Sequence, residues 1–189
     1  MPNRDHRITD EELDSLIEGC RNNDIKAQEQ FYKVCYKRFI PLCLRYADDL
    51  DGAAIVFNNA MLRIFRNLDN YKNEDKLMAW VKTIIVNCCL DYLKKTQNLK
   101  FNPIKEEHQD SISNKTDLPV DVTVKEIRQW IHELPKTTAL VFNLFIYEGY
   151  SHKEITQLLD IAEGTSKWHV NEGRKLLQKR LFQKKQEKS

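Results

Sequence analysis

Apolar residues recur at three- and four-residue steps through most of the chain, and this spacing restricts the fold more than any other feature. One such stripe consists of Ala54, Phe57, Met61, Ile64, Phe65 and Leu68. A period near 3.6 residues predicts amphipathic α-helices. Only five Gly and five Pro occur in 189 residues, so a fold built from tight β-hairpins is not expected. The sequence therefore predicts an all-α protein.

The helical spacing is interrupted once, over residues 98–121, which contain two Pro, few apolar residues and no clear period. Four helices are expected before this segment, and four amphipathic helices can share one core. Helical spacing resumes at Val122. We predict two small helical domains, residues 1–97 and 122–189, joined by a flexible linker over 98–121, with a basic tail at the end of the second domain.

Composition favours a soluble, folded protein. Hydrophobic residues make up 41% and charged residues 31% of the chain, which is ordinary for a globular protein. No apolar run approaches the roughly 18 residues that a membrane span needs. The first fourteen residues are polar and acidic, unlike a signal peptide. We expect a cytoplasmic protein without membrane insertion.

Neither metal binding nor catalysis is expected. The five cysteines form no C-x-x-C pair, and no His lies at zinc-finger spacing from them, so buried, reduced thiols are predicted. The sequence has no Gly-rich phosphate loop, H-E-x-x-H or G-x-S-x-G motif, which argues against an enzyme and against any cofactor or catalytic residue. His152 and His169 are expected to contact phosphate or solvent.

Charge is distributed unevenly along the chain. Residues 1–24 carry seven acids and three Arg, whereas residues 165–189 carry eight Lys or Arg and two acids. A basic C-terminal region suggests a polyanionic partner, although a solvated tail has the same composition.

The strongest local pattern covers residues 151–177. Ser151 and Glu154 form a capping box that begins a short helix, and a longer basic helix follows from about residue 165 to 182. A short helix, a tight turn and a basic helix match the helix-turn-helix plan. Ile155, Leu158, Ile161 and Val170 are spaced to form its small core. The turn contains Asp160, and Asp tolerates left-handed geometry better than most residues.

The second helix of this motif supplies the candidate contacts to duplex DNA. Lys167, Trp168 and Asn171 share one face, the hydroxyls of Thr165 and Ser166 stand at the N-terminal end where a phosphate is favoured, and the cations continue along the helix. The candidate set is Thr165, Ser166, Lys167, Trp168, Asn171, Arg174 and Lys175. Trp168 is expected either to meet thymine methyl groups or to pack inward. A helical hairpin with a solvated basic face remains an alternative.

Two stretches resemble the sigma-70 family of RNA polymerase subunits. Residues 133–167 contain L-P, V-F-x-L, E-G-Y-S-x-K-E-I and G-T-x-K in order, which is similar to sigma domain 4. Residues 65–95 contain a Trp near the start of a helix that ends in N-x-x-x-D-Y-L-K, which is similar to sigma domain 2. The resemblance covers most of residues 20–180, without additional domains, and so points to the short extracytoplasmic-function type.

The resemblance implies roles for both domains. Domain 4 would read the −35 promoter element through residues 165–175 and meet the polymerase flap, while domain 2 would dock on the polymerase clamp and melt the −10 element. An anti-sigma factor commonly binds such proteins. Clamp docking is expected to involve Ile55, Val56, Asn58, Asn59, Leu62, Arg63 and Arg66. Binding of the −10 element is expected to involve Tyr71, Lys72, Asn73, Lys76, Lys82, Asn87, Lys94 and Lys95.

Several positions depart from the family pattern or stay open. Asn58 and Asn59 stand where acids are usual in the docking helix, which weakens the charged part of that contact. Trp80 is expected either in the core or as a base-stacking surface, and Asp91 as a cap or an ion-pair partner. An independent, dimeric helix-turn-helix regulator that binds DNA without polymerase is the main alternative function.

Overall fold

The computed structural model describes residues 9–72, 76–97 and 122–187. These residues form eight α-helices, one short 3-10 turn and no β-strand. The all-α prediction is therefore confirmed. The helices group into two compact units, α1–α4 and α5–α8. The predicted linker, 98–121, lies outside the described residues.

The first unit contains α1 (Asp10–Arg21), α2 (Ile25–Cys43), α3 (Leu50–Arg66), the 3-10 turn (Leu68–Asn70) and α4 (Leu77–Gln97). Asp and Thr side chains cap the first three helices: Thr9 and Glu12 form the predicted capping box, and Asp24 and Asp49 cap α2 and α3. Such caps satisfy backbone N–H groups that the first turn leaves free.

The core of the first unit lies where α2, α3 and α4 meet. Phe31, Phe57, Ile64 and Ile85 are fully buried there, which is the outcome that the apolar stripes predict. All five cysteines are buried thiols, as expected from their apolar neighbours.

The second unit contains α5 (Val124–His132), α6 (Lys136–Ile146), α7 (His152–Leu159) and α8 (Glu163–Glu187). Helix α8 packs against each of the other three. It begins two residues earlier and ends five residues later than predicted, because the polar residues after Phe182 continue the helix without an apolar period. Gly149 ends the α6 segment with a left-handed φ of 76°, a conformation that only Gly adopts without strain.

Close approach of α6 and α8 depends on Gly173. A Cβ atom at this position would lie 2.6 Å from Cδ2 of Phe142. Phe142 belongs to a buried cluster with Ile131 and Leu134, against which Leu176 and Leu177 pack. None of the described helices combines the length and the apolar character that a bilayer-crossing helix requires.

Candidate nucleic-acid interface

Helices α7 and α8 form the predicted helix-turn-helix. The Ser151 hydroxyl accepts a hydrogen bond from the backbone N–H of Glu154 at 3.2 Å, and the Glu154 carboxylate accepts one from the backbone N–H of Ser151 at 2.8 Å. These two bonds complete the capping box that begins α7. Asp160 ends α7 at φ 54° and ψ 52°, which confirms the predicted left-handed turn. Of the predicted motif core, Ile155, Ile161 and Val170 are buried, whereas Leu158 is half-buried.

The predicted DNA-contacting residues of α8 are mostly accessible. Lys167 and Arg174 are exposed, and four others are half-buried: Thr165, Trp168, Asn171 and Lys175. Ser166 differs, because its side chain is fully buried and its hydroxyl lies 2.9 Å from Nδ1 of His152. Ser166 is therefore an interior residue and does not offer its hydroxyl to a phosphate.

The two histidines of the motif differ in exposure, because His169 is buried whereas His152 is half-buried. His169 is 5% exposed, and its Nδ1 lies 3.0 Å from the Thr138 hydroxyl. Burial lowers the pKa of His169 to about 4. Burial, followed by the nearby charge of Lys167, lowers the pKa of His152. The expectation that both rings meet phosphate or solvent is wrong for His169, which is buried beside the Thr138 hydroxyl. The His152 ring keeps part of its surface accessible while its Nδ1 pairs with the Ser166 hydroxyl.

Two accessible cations of α8 have contacts within the unit. The Lys167 ammonium lies 2.7 Å from the Glu163 carboxylate one turn earlier, and the hydrogen bond from Lys167 lowers the pKa of Glu163. The Arg174 guanidinium lies 6.0 Å from the Phe145 ring centroid. Trp168 meets the His169 ring edge-on at 4.9 Å, so this side chain is partly packed and partly accessible, between the two predicted arrangements.

Further along α8, two basic residues form ion pairs with α5 and with the residue that follows it, and Arg180 remains exposed while doing so. Arg180 binds the Glu133 carboxylate at 2.8 Å, and Lys184 binds Glu126 and lies 5.9 Å from the Trp130 ring centroid. The hydrogen bond from Lys184, with those from Thr123, lowers the pKa of Glu126 to about 2. The basic C-terminal region is thus partly a structural contact between helices.

In the first unit, α3 and α4 enclose a cavity of about 350 Å³. Its lining includes most of the predicted clamp-docking residues: Ile55, Val56, Asn59, Leu62, Arg63 and Arg66. Ile55 and Leu62 are more than half exposed, whereas Val56 is only 1% exposed and belongs to the core. Asn58 is exposed and turned towards α2, where its Oδ1 accepts a hydrogen bond from the Tyr32 hydroxyl at 2.7 Å.

A second cavity of about 300 Å³ shares Arg63 with the first. It is lined by Arg63, Asn67, Asn70, Trp80, Ile84 and Asn87. Only Asn87 was predicted in the −10 set. Asn67 and Asn70 were missed because they belong to the turn between α3 and α4, and no sequence period relates this turn to the face of α4. Asp91 pairs with Arg63 at 2.9 Å, which resolves its role as an ion-pair partner.

Tyr71 lies beside this cavity rather than in it. Its ring is 9% exposed and packs against Trp80 with centroids 5.2 Å apart. Arg21 holds the segment in place, since its Nη2 donates to the Tyr71 carbonyl at 2.6 Å. The Tyr71 hydroxyl is buried without a hydrogen-bond partner among the described residues. Trp80 is half-buried, so one part of it packs while another faces the cavity.

The predicted cations of the −10 set lie around the first unit. Lys72, Lys76, Lys94 and Lys95 are exposed, and Lys82 is half-buried. Lys95 lines the first cavity rather than the second. Asn73 lies outside the described residues. No three His, Cys, Asp or Glu groups of the described ranges are arranged to hold a metal ion.

A helical protein whose second unit carries a helix-turn-helix with an accessible cationic face is a DNA-binding protein by class. The family models agree on a narrower identity. The model described as Sigma-70 region 2 matches residues 31–99, and the model described as Sigma-70, region 4, matches residues 125–177. The chain belongs to the sigma-70 family and is of its extracytoplasmic-function type.

Curated relatives of the chain are sigma factors. It is 20% identical to the RNA polymerase sigma-H factor of Pseudomonas aeruginosa over 92% of this chain and 96% of that protein. It is 22% identical to the ECF RNA polymerase sigma factor SigW of Bacillus subtilis, over 87% of this chain and 94% of that one. It is 23% identical to the ECF RNA polymerase sigma-E factor of Escherichia coli, over 88% of this chain and 92% of that one. The family's function is non-catalytic, promoter-specific transcription initiation with core RNA polymerase.

Proposed function

We propose that this chain acts in the cytoplasm as an extracytoplasmic-function sigma factor that directs core RNA polymerase to promoters with distinct −35 and −10 elements. The observation that carries the proposal is the helix-turn-helix of the second unit, in which α8 presents exposed Lys167 and Arg174 within the segment that matches Sigma-70, region 4.

Helix α8 reads the −35 element in the major groove of duplex DNA. The reading face consists of Thr165, Lys167, Trp168, Asn171, Arg174 and Lys175. Lys167 must exchange the Glu163 carboxylate for DNA, and this exchange costs little because exposed ion pairs contribute only about 0–1 kcal/mol. Asn and Arg side chains offer the paired donors and acceptors that base edges require.

The second cavity of the first unit accepts an unpaired base of the −10 element. Asn67, Asn70 and Asn87 line it with amide groups, which supply both donors and acceptors to a base edge. Trp80 adds an aromatic surface for stacking, and single-stranded nucleic acid is bound by such surfaces with nearby cations. The exposed lysines of this unit, such as Lys72 and Lys76, contact the phosphate backbone of the DNA.

The surface of α3 and α4 around the first cavity docks on the polymerase clamp. Its rim combines two exposed apolar side chains, Ile55 and Leu62, with Asn59, Arg63 and Arg66. A partly apolar patch with cations at its edge is typical of a protein interface. Other surfaces of the second unit meet the polymerase flap, and an anti-sigma factor controls access to both units.

Reconstitution tests the proposal as a whole. The purified chain is mixed with core RNA polymerase, and we expect co-elution and run-off transcripts from promoter templates. An independent DNA-binding regulator would bind duplex DNA by itself without joining polymerase. Failure to co-elute, together with no promoter-specific transcript, would show that the chain is not a sigma factor.

Two variants test the two DNA sites separately. Lys167→Ala with Arg174→Ala is expected to weaken −35-dependent initiation and reduce its salt dependence, because both cations meet DNA. Asn87→Ala is expected to slow −10 melting, measured by permanganate reactivity of unpaired thymines. Asn22→Ala removes an exposed amide of the same unit and serves as the control. If the Asn87 and Asn22 variants open the −10 element equally well, the unpaired base does not bind in the second cavity.

A further inference from the structure

His152 connects three helices of the second unit. It is the first residue of α7, its Nδ1 lies 2.9 Å from the Ser166 hydroxyl of α8, and its ring stacks on Phe145 of α6. The His152 and Phe145 centroids are 4.4 Å apart and the ring planes differ by only 17°. The His152 side chain therefore links the start of α8 to both α6 and α7.

Phe145 extends this contact along α8. The Arg174 guanidinium lies 6.0 Å from the Phe145 centroid, in the range of a cation–π contact. Ser166 and Arg174 are eight residues apart, which is about 12 Å along a helix axis. The stacked pair thus contacts α8 near both ends of the face that reads the −35 element. Resting on that proposed function, we propose that His152 and Phe145 form a positioning platform that sets the rotation and height of α8.

The polar bond is suited to positioning rather than to stability alone. Ile155 and Val170 are buried between α7 and α8 and already supply apolar packing, which has no preferred direction. A hydrogen bond to the fully buried Ser166 hydroxyl does have a direction, and it is lost when the helix turns. The unmet hydroxyl would then be costly.

The groups around His152 favour its neutral form. Lys167 and Arg174 are the neighbouring cations and Glu163 is the neighbouring anion, and burial is the main cause of the lowered pKa of His152. A neutral imidazole either accepts from the Ser166 hydroxyl or donates to it, so the bond persists in both tautomers.

The test uses the full chain in reconstituted holoenzyme. Its readout is −35 discrimination, defined as the ratio of run-off transcript from a mapped promoter to that from the same promoter with a scrambled −35 element. We expect His152→Ala to lower this ratio about five-fold, since one directional bond contributes about 1 kcal/mol. His152→Asn, which keeps a hydrogen-bonding group near Ser166, should restore most of it. Initiation on a template with a pre-melted −10 element should not change.

A second variant separates positioning from folding. His152→Leu with Ser166→Ala removes both polar partners together, and such paired replacement is often nearly neutral for stability. We expect this double variant to melt close to the native protein and still to lose −35 discrimination. Gln157→Ala, at an exposed position of the same helix, is the control and should behave as the native chain.

The outcomes distinguish the inference from the proposed function. If Lys167→Ala with Arg174→Ala leaves −35 discrimination unchanged, the proposed function of α8 is wrong. If that variant loses discrimination while the His152→Leu, Ser166→Ala double variant keeps it, the platform is wrong and the function stands. If His152→Ala unfolds at the assay temperature, the His152→Leu, Ser166→Ala double variant decides: a loss of −35 discrimination supports the platform, and native discrimination overturns it.

Discussion

Gly173→Ala tests whether the close approach of α6 and α8 holds the second unit together. A Cβ at residue 173 would lie 2.6 Å from Cδ2 and 3.2 Å from Cε2 of Phe142. The ring would have to move by about 1 Å to regain ordinary carbon–carbon contact. It cannot move freely, because Phe142 is 5% exposed and is packed against Ile131 and Leu134.

Two opposing terms set the size of the effect. Replacing Gly by Ala in a helix normally stabilises it by about 1 kcal/mol, whereas overpacking a core costs about 1–3 kcal/mol. Since the ring has neighbours on its other side, we expect the cost to dominate. The free energy of unfolding of the second unit should fall by up to about 2 kcal/mol.

Urea unfolding followed by tryptophan fluorescence provides the measurement. Trp130 and Trp168 lie in the second unit and Trp80 in the first, so a Trp80→Phe background reports the second unit alone. Gly164→Ala is the matched control, because Gly164 is exposed in the first turn of the same helix. It should leave stability unchanged or raise it by up to about 1 kcal/mol.

The reasoning has a clear point of failure. If Gly173→Ala stabilises the unit as much as Gly164→Ala does, the contact with Phe142 does not limit the helix separation. Adding Phe142→Leu should reduce the cost of Gly173→Ala, because a side chain that lacks the ring leaves room for the new methyl group. Strictly additive effects of the two changes would also contradict the contact.

Three further predictions concern protonation, thiols and docking. Because burial lowers the pKa of His169 to about 4 from about 6.5 in an unfolded chain, the unfolded state binds more protons between these values. Stability of the second unit should therefore be lost as pH falls from about 6.5 to about 4, and thermal melts of His169→Gln that keep the same pH dependence would contradict this. Burial raises the pKa of Cys35 to about 12 and of Cys20 to about 11, so a disulfide reagent at neutral pH should label these thiols only after denaturation, and rapid labelling of the native protein would refute their burial. Asn59→Asp should keep or improve polymerase binding in a competition assay, because it restores an acid that the family usually carries at this exposed position, and a marked loss would show that α3 docks differently.

Local patterns predicted the helices and their ends accurately where the cause was itself local. The capping boxes at Thr9 and Ser151 and the left-handed Asp160 each involve residues within four positions of one another. The end of α8 was misjudged, since Lys184 and its neighbours are held by α5 and not by an apolar period. A contact to another helix has no signature within the helix itself.

The candidate sites were predicted in part for the same reason. Helical spacing correctly placed Lys167 and Arg174 on the accessible side of α8. It could not place Ser166, because the number of residues per turn does not say how far a neighbouring helix extends over a face. The sequence did not predict Asn67 and Asn70 as site residues, because they line the same cavity as Asn87 only once the turn has folded against α4.

The sequence by itself determined the all-α fold, the two groups of helices and the family, because periodicity, capping and short motifs act within one turn or one segment. Tertiary structure alone decided which polar side chains are held by a neighbouring helix. His152 and Ser166 lie fourteen residues apart in the sequence, yet their side chains share a hydrogen bond in the folded unit. Likewise, Asn58 of α3 accepts a hydrogen bond from Tyr32 of α2. Burial depends on what packs above a side chain, and that is a property of the assembled helices.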